Sequence, residues 1–153
     1  MPWFELDKNA VLCSARIADK RQALELASEQ LAHSYGLDTD AVLGNLLDRE
    51  EQGSTGFGRG VAIPHGRVEG LEHPVAAILR CDRPVDFDSV DRLPVDIVIG
   101  LLSPAKAGAS HLQALAHLSR LTRNQKTMDN IRGAEDSDAI YALVNAEIER
   151  DAA

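Results

Sequence analysis

Val95-Asp96-Ile97-Val98-Ile99-Gly100-Leu101-Leu102 is a near-continuous apolar run of strand length, bounded by Pro94 on one side and Ser103-Pro104 on the other. A strand with one wet face alternates apolar and polar residues; a run like this one is dry on both faces. Upstream, Val75-Ala76-Ala77-Ile78-Leu79-Arg80-Cys81 follows Pro74 and reads the same way. Asp82-Arg83-Pro84 then turns the chain, and Val85 and Phe87 alternate briefly. Strands buried on both faces need helices above and below them, so the fold class is α/β, a sheet covered on both sides.

Helical periodicity surrounds these strands. Asp19 with Gln22 three residues later is a capping box, followed by Leu24, Ala27, Leu31 and Tyr35 at helical spacing and by Gly36 as a stop. Asp38 opens a second helix carrying Val42, Leu43, Leu46 and Leu47 and ending at Gly53, with Arg49 in its last turn, where exposed carbonyls favour a cation. After Ser103-Pro104, a loop through Gly108 and Ser110 leads into a helix whose apolar face is Leu112, Leu115, Leu118 and Leu121. Lys126 to Ile131 reads as a short helical turn. Ser137 or Asp136 caps a terminal helix with Ile140, Leu143, Val144 and Ile148 facing inward. Val11 to Ile17 reads as a short strand, and residues 1–10, lacking periodicity, as a loosely ordered arm. Repeats and interdomain linkers are absent, so residues 1–153 read as a single domain.

Backbone freedom is concentrated in Gly53-Ser54-Thr55-Gly56-Phe57-Gly58-Arg59-Gly60-Val61-Ala62-Ile63-Pro64-His65-Gly66-Arg67, which holds five of the eleven glycines. Such a cluster suits positive φ or a close backbone approach. Val61-Ala62-Ile63 has the length of a brief buried strand, Pro64 ends its ladder, and His65 is presented at the strand's end. A histidine beside Pro-Gly is often only a turn residue. Here, however, Ser54, Thr55 and glycine N–H groups supply donors, while Arg49, Arg59 and Arg67 supply positive charge, a combination suited to an anion. An imidazole beside a phosphate cradle points to covalent phosphoryl transfer with histidine as nucleophile. The glycines at 56, 58 and 60 lack dinucleotide-loop spacing, and no Lys-Ser or Lys-Thr follows for a Walker A loop, so nucleotide binding is not expected.

A second histidine joins the first. On the helix after Ser103-Pro104, His111 projects to about the middle of the apolar face, whereas His117 falls roughly 130° away and reads as a solvent-exposed flank residue. An inward histidine is often a hydrogen-bonded core residue. Yet a loop from strand end to helix start is where α/β sheets build their sites, so His65 and His111 are candidates to share one sheet edge. His33 and His73 read as surface residues.

A formal net charge of −8 argues against nucleic acid and anionic membrane surfaces as partners. One Trp, two Tyr and three Phe leave the core to Leu, Val, Ile and Ala. Cys13 and Cys81 lie singly in apolar runs and read as buried free thiols. With no basic flank or apolar stretch at the N-terminus and no run of membrane-spanning length, the expected location is cytoplasmic. A metal hydrolase built on His65 and His111 lacks a clear carboxylate ligand set.

Arg49-Glu50, Ser54-Thr55-Gly56-Phe57-Gly58 and Gly60-Val61-Ala62-Ile63-Pro64-His65-Gly66-Arg67 resemble the signature of enzyme IIA of the phosphoenolpyruvate-dependent phosphotransferase system, in its fructose–mannitol–nitrogen-regulatory class. The resemblance continues through Pro84-Val85-Asp86-Phe87, Asp91, Pro94-Val95-Asp96, Leu101-Leu102-Ser103-Pro104 and His111-Leu112, and its details are nearer to the nitrogen-regulatory type than to a sugar transporter's own subunit. Phe57 stands where a smaller aliphatic residue is the family's pattern. The resemblance implies one mixed sheet of about five strands with helices on both faces. It also implies His65 as phosphoacceptor and His111 as its companion in the pocket, with Arg49 and Thr55 nearby; Ser54, Gly56 and Gly66, from the donor-rich glycine stretch, complete the expected phosphate-binding set with Thr55. No cofactor or metal is implied. The implied donor is an HPr-like histidine phosphocarrier, and the implied targets are regulatory proteins. The alternative is a IIA subunit passing phosphate to a IIB component of a fructose- or mannitol-type transporter.

Overall fold

The computed structural model describes residues 3–152. The elements are β1 (Glu5–Ala15), α1 (Lys20–Tyr35), α2 (Thr39–Glu51), β2 (Gly56–Gly58), β3 (Val61–Ala62), β4 (His65–Val68), β5 (Val75–Val85), β6 (Val95–Pro104), α3 (Ala109–Arg123), α4 (Gln125–Gly133) and α5 (Ser137–Ala152). They form one mixed sheet in the order β1-β5-β6-β3-β2, with β4 also paired to β6. β6 is the axis. It runs antiparallel to β5 on one edge and parallel to β3 and then β4 on the other. No helix among the described residues is long and apolar enough to cross a membrane.

The period-2 alternation of β6 divides the molecule into layers. At Gly100 an added Cβ would come within 3.0 Å of Leu31 in α1, so even-numbered residues of β6 face α1. Three residues on, Ser103 bonds to His111 of α3, so odd-numbered residues face α3. Helices therefore cover both faces, and Val95 and Ile97 to Ser103 are all buried. The caps follow the sequence closely. Asp19 accepts from Gln22 N, Asp38 from Ala41 N, and Asp136 rather than Ser137 from Ala139 N.

Three local expectations are corrected. The arm expected over 1–10 is instead the start of β1 from Glu5, with Phe4 buried; residues 1 and 2 lie outside the described residues. The register of β1 on β5 slips between Leu6 and Val11, which erases the alternation that marks a strand. The hydroxyl of Tyr35 bridges that slip, accepting from Asp7 N at 2.8 Å and donating to Ala76 O at 2.6 Å. The turn expected at Asp82-Arg83-Pro84 is a bulge inside β5, between pairs Arg80–Ile97 and Val85–Val95. A bulge tolerates a proline because the extra residues leave the ladder. Cys13, expected to be buried, is half-exposed, whereas Cys81 is buried.

Candidate active site

Pro64 has no N–H to give, so the strand edge beside β6 breaks between β3 and β4, and His65 opens the second piece opposite Leu101. Parity places His65 with Leu101 and Ser103 on the α3 face. Its Nδ1 lies 2.7 Å from the Ile63 carbonyl. Only a protonated nitrogen can meet a carbonyl oxygen in this way, so Nδ1 carries the hydrogen and Nε2 of the neutral ring carries the lone pair. Burial holds the His65 pKa below the ordinary value; the Ile63 carbonyl opposes this and the Arg49 charge adds to it.

His111 sits in the first turn of α3, buried, with its centroid 5.7 Å from that of His65 and the rings inclined at 43°. Its Nδ1 is 2.7 Å from Ser103 Oγ. Burial, with the charges of Arg67 and His65, lowers its pKa to about 4, so it is neutral at neutral pH. The pairing of the two histidines anticipated from sequence is present. The face that carries His111 differs from the expected one: Leu112 is 63% exposed, and Ala114, Leu118 and Leu121 fill the buried face. His117 is buried, not a solvent-exposed flank residue. It turns away from the site, where Arg120 donates to its Nδ1, Asp151 lies 2.9 Å from its Nε2, and Trp3 packs 5.6 Å from the ring.

A hollow of 280 Å³ opens beside His65, floored by Ile63, Ser54, Thr55 and Gly56, walled by Arg49 and rimmed by the exposed apolar side chains of Phe57 and Val90. Ser54, Thr55 and Gly56 were expected to offer their donors to an anion. In this structure those donors turn inward. Ser54 Oγ donates to Phe87 O and accepts from Gly56 N. Thr55 N donates to Glu50 Oε2 at 2.7 Å, and the Thr55 hydroxyl donates to the other carboxylate oxygen. Arg49 donates to Gly53 O at 2.9 Å, which among the described residues leaves most of its five N–H groups without a partner. Gly66 is needed for space rather than for its φ. A Cβ there would come within 1.7 Å of Asn45 Oδ1, whose amide nitrogen donates to Arg67 O.

Sequence reading gave no role to Glu50, Lys20 or Ser103. Glu50 is a buried carboxylate that receives both bonds from Thr55 and lies 3.1 Å from Lys20 Nζ. A carboxylate in the last turn of a helix faces like-signed carbonyl ends, and that oddity was the available signal.

Comparison with known proteins matches residues 5–147 to the family described as phosphoenolpyruvate-dependent sugar phosphotransferase system, EIIA 2. A nitrogen regulatory protein of Bradyrhizobium diazoefficiens is 43% identical over 135 residues, 88% of each chain. One of Pseudomonas aeruginosa is 38% identical over 126 residues, 82% of each. The crystal structure of nitrogen regulatory protein IIA-Ntr from Neisseria meningitidis superposes with a TM-score of 0.84 at 30% identity, covering 91% of this chain and 95% of that one. A match over nearly the whole sheet-and-helix unit settles the assignment: the chain belongs to the EIIA 2 family of the phosphoenolpyruvate-dependent sugar phosphotransferase system.

Proposed function

We propose that the chain is a phosphoryl carrier in which His65 Nε2 takes a phosphoryl group from an HPr-like histidine phosphocarrier. The observation that carries this reading is the Ile63 carbonyl on His65 Nδ1, which leaves Nε2 as a bare nucleophile beside an open hollow. In the transfer, the Nε2 lone pair forms an N–P bond in line with the N–P bond of the donor phosphohistidine. That bond breaks, and its electron pair returns to the donor's ring nitrogen. Charge in the loose transition state gathers on three equatorial oxygens, which Arg49 and His111 stabilise from fixed positions. Ser54, Thr55, Gly56 and Gly66 act by shape: they hold the floor and keep β4 close to α2. The lowered pKa of His65 keeps it an acceptor at neutral pH. Similarity to nitrogen regulatory proteins favours a nitrogen-type regulatory output over delivery to a sugar transporter's IIB component.

The test is incubation with phosphoenolpyruvate, enzyme I and an HPr-like carrier, followed by phosphate gels. Wild type acquires one acid-labile phosphoryl group and His65→Ala acquires none. Full labelling of His65→Ala would refute the reading.

A further inference from the structure

This inference rests on the phosphoryl-carrier reading and concerns how His111 is made ready for it. Ser103 Oγ and His111 Nδ1 lie 2.7 Å apart, and one hydrogen must sit between them. Two arrangements are possible. If Nδ1 were protonated and donated to Oγ, the Ser103 hydroxyl would need another acceptor. Ser103 is fully buried, and among the described residues its Oγ makes no other hydrogen bond. A buried O–H without a partner is an arrangement proteins avoid. If the hydroxyl donates to an unprotonated Nδ1, the single bond satisfies both groups.

We propose that Ser103 is a positioning residue, whose hydroxyl donates to His111 Nδ1 and so fixes His111 with its hydrogen on Nε2, facing the transferred phosphoryl group as a donor. The two imidazoles, 5.7 Å apart, are then held in opposite tautomers. The Ile63 carbonyl puts the hydrogen of His65 on Nδ1 and makes its Nε2 a nucleophile. The Ser103 hydroxyl puts the hydrogen of His111 on Nε2 and makes it a hydrogen-bond donor. The register explains how one strand serves both rings. Leu101 lies opposite His65, and Ser103, two residues on and on the same face, lies beneath His111. Because His111 is neutral, the choice of tautomer decides whether its outer nitrogen repels or stabilises phosphoryl oxygens.

The experiment pairs ring ¹⁵N NMR of the intact protein with transfer kinetics. Wild-type His111 is expected to show a protonated Nε2 and an unprotonated Nδ1. Ser103→Ala is expected to lose that fixed signature and to lower kcat roughly tenfold, less than the 10²–10³ for deleting a transition-state donor outright. KM for the donor carrier should stay unchanged, and Ser103→Thr, which keeps the hydroxyl, should restore the rate. A protonated Nδ1 on wild-type His111, or wild-type kcat in Ser103→Ala, would overturn the proposal. Incubation of wild type with phosphoramidate tests the underlying reading separately: labelling of His65 supports it whatever the state of His111, and failure to label overturns it.

Discussion

Glu50 joins three parts of the site by one carboxylate. It sits in the last turn of α2, accepts from the backbone and hydroxyl of Thr55, and pairs with Lys20 from the first turn of α1. Its position near the carbonyl end of a helix is unfavourable by itself, so the bonds it receives must outweigh that repulsion. Removing it strands the buried donors of Thr55. Glu50→Ala is therefore expected to cost about 2 kcal/mol in urea unfolding, and Glu50→Gln, which keeps one acceptor, about half as much. Both should slow phosphoryl transfer, because Thr55 floors the hollow that His65 faces. Unchanged unfolding midpoints would mean that the network stabilises nothing.

Between elements, the contact that sets the site is α2 against β4. Asn45 reaches across Gly66 and donates to Arg67 O, fixing the strand that begins with His65. Gly66→Ala forces its methyl into Asn45 and is expected to cost about 1–3 kcal/mol, the range for overpacking. The double variant Gly66→Ala/Asn45→Ala should recover most of that loss; equal destabilisation of single and double variants would place the strain elsewhere. The sequence marked Gly66 as special but could not say why, because the neighbour responsible lies 21 positions away on another element. The first half of β1 was hidden for a related reason: its irregular register on β5 breaks the period that announces a strand, and Tyr35 mends the break through space. His117 was misplaced because the helical wheel measures direction from the sheet alone. Asp151 of α5 and Trp3 cover it from the outer side. By contrast, β6, the first seven residues of β5 and the N-caps of α1 and α2 were legible, since a near-continuous apolar run and a side chain bonded three residues on are local signals.

At the scale of the molecule, three buried or half-buried histidines have lowered pKa values. An unfolded histidine titrates near about 6.5, while folded His111 holds out to about 4. Within that window the unfolded chain binds more protons than the folded one, so stability falls as pH drops and is unaffected by these groups above it. Urea midpoints measured from pH 7 to pH 4.5 should decline, and His111→Gln should shallow the decline; an equally steep slope in that variant would deny His111 its part. The layered sheet could be read from sequence because β6 is nearly all apolar, and the two histidines because both flank that strand's end. The central claim is that one nitrogen, Nε2 of His65, carries the phosphoryl group. Its most direct test is ³¹P and ¹⁵N NMR of the protein phosphorylated through its donor carrier. The expected result is a single phosphohistidine at His65 with phosphorus coupled to Nε2 and hydrogen retained on Nδ1; phosphorus on Nδ1, or on any other residue, would contradict that assignment.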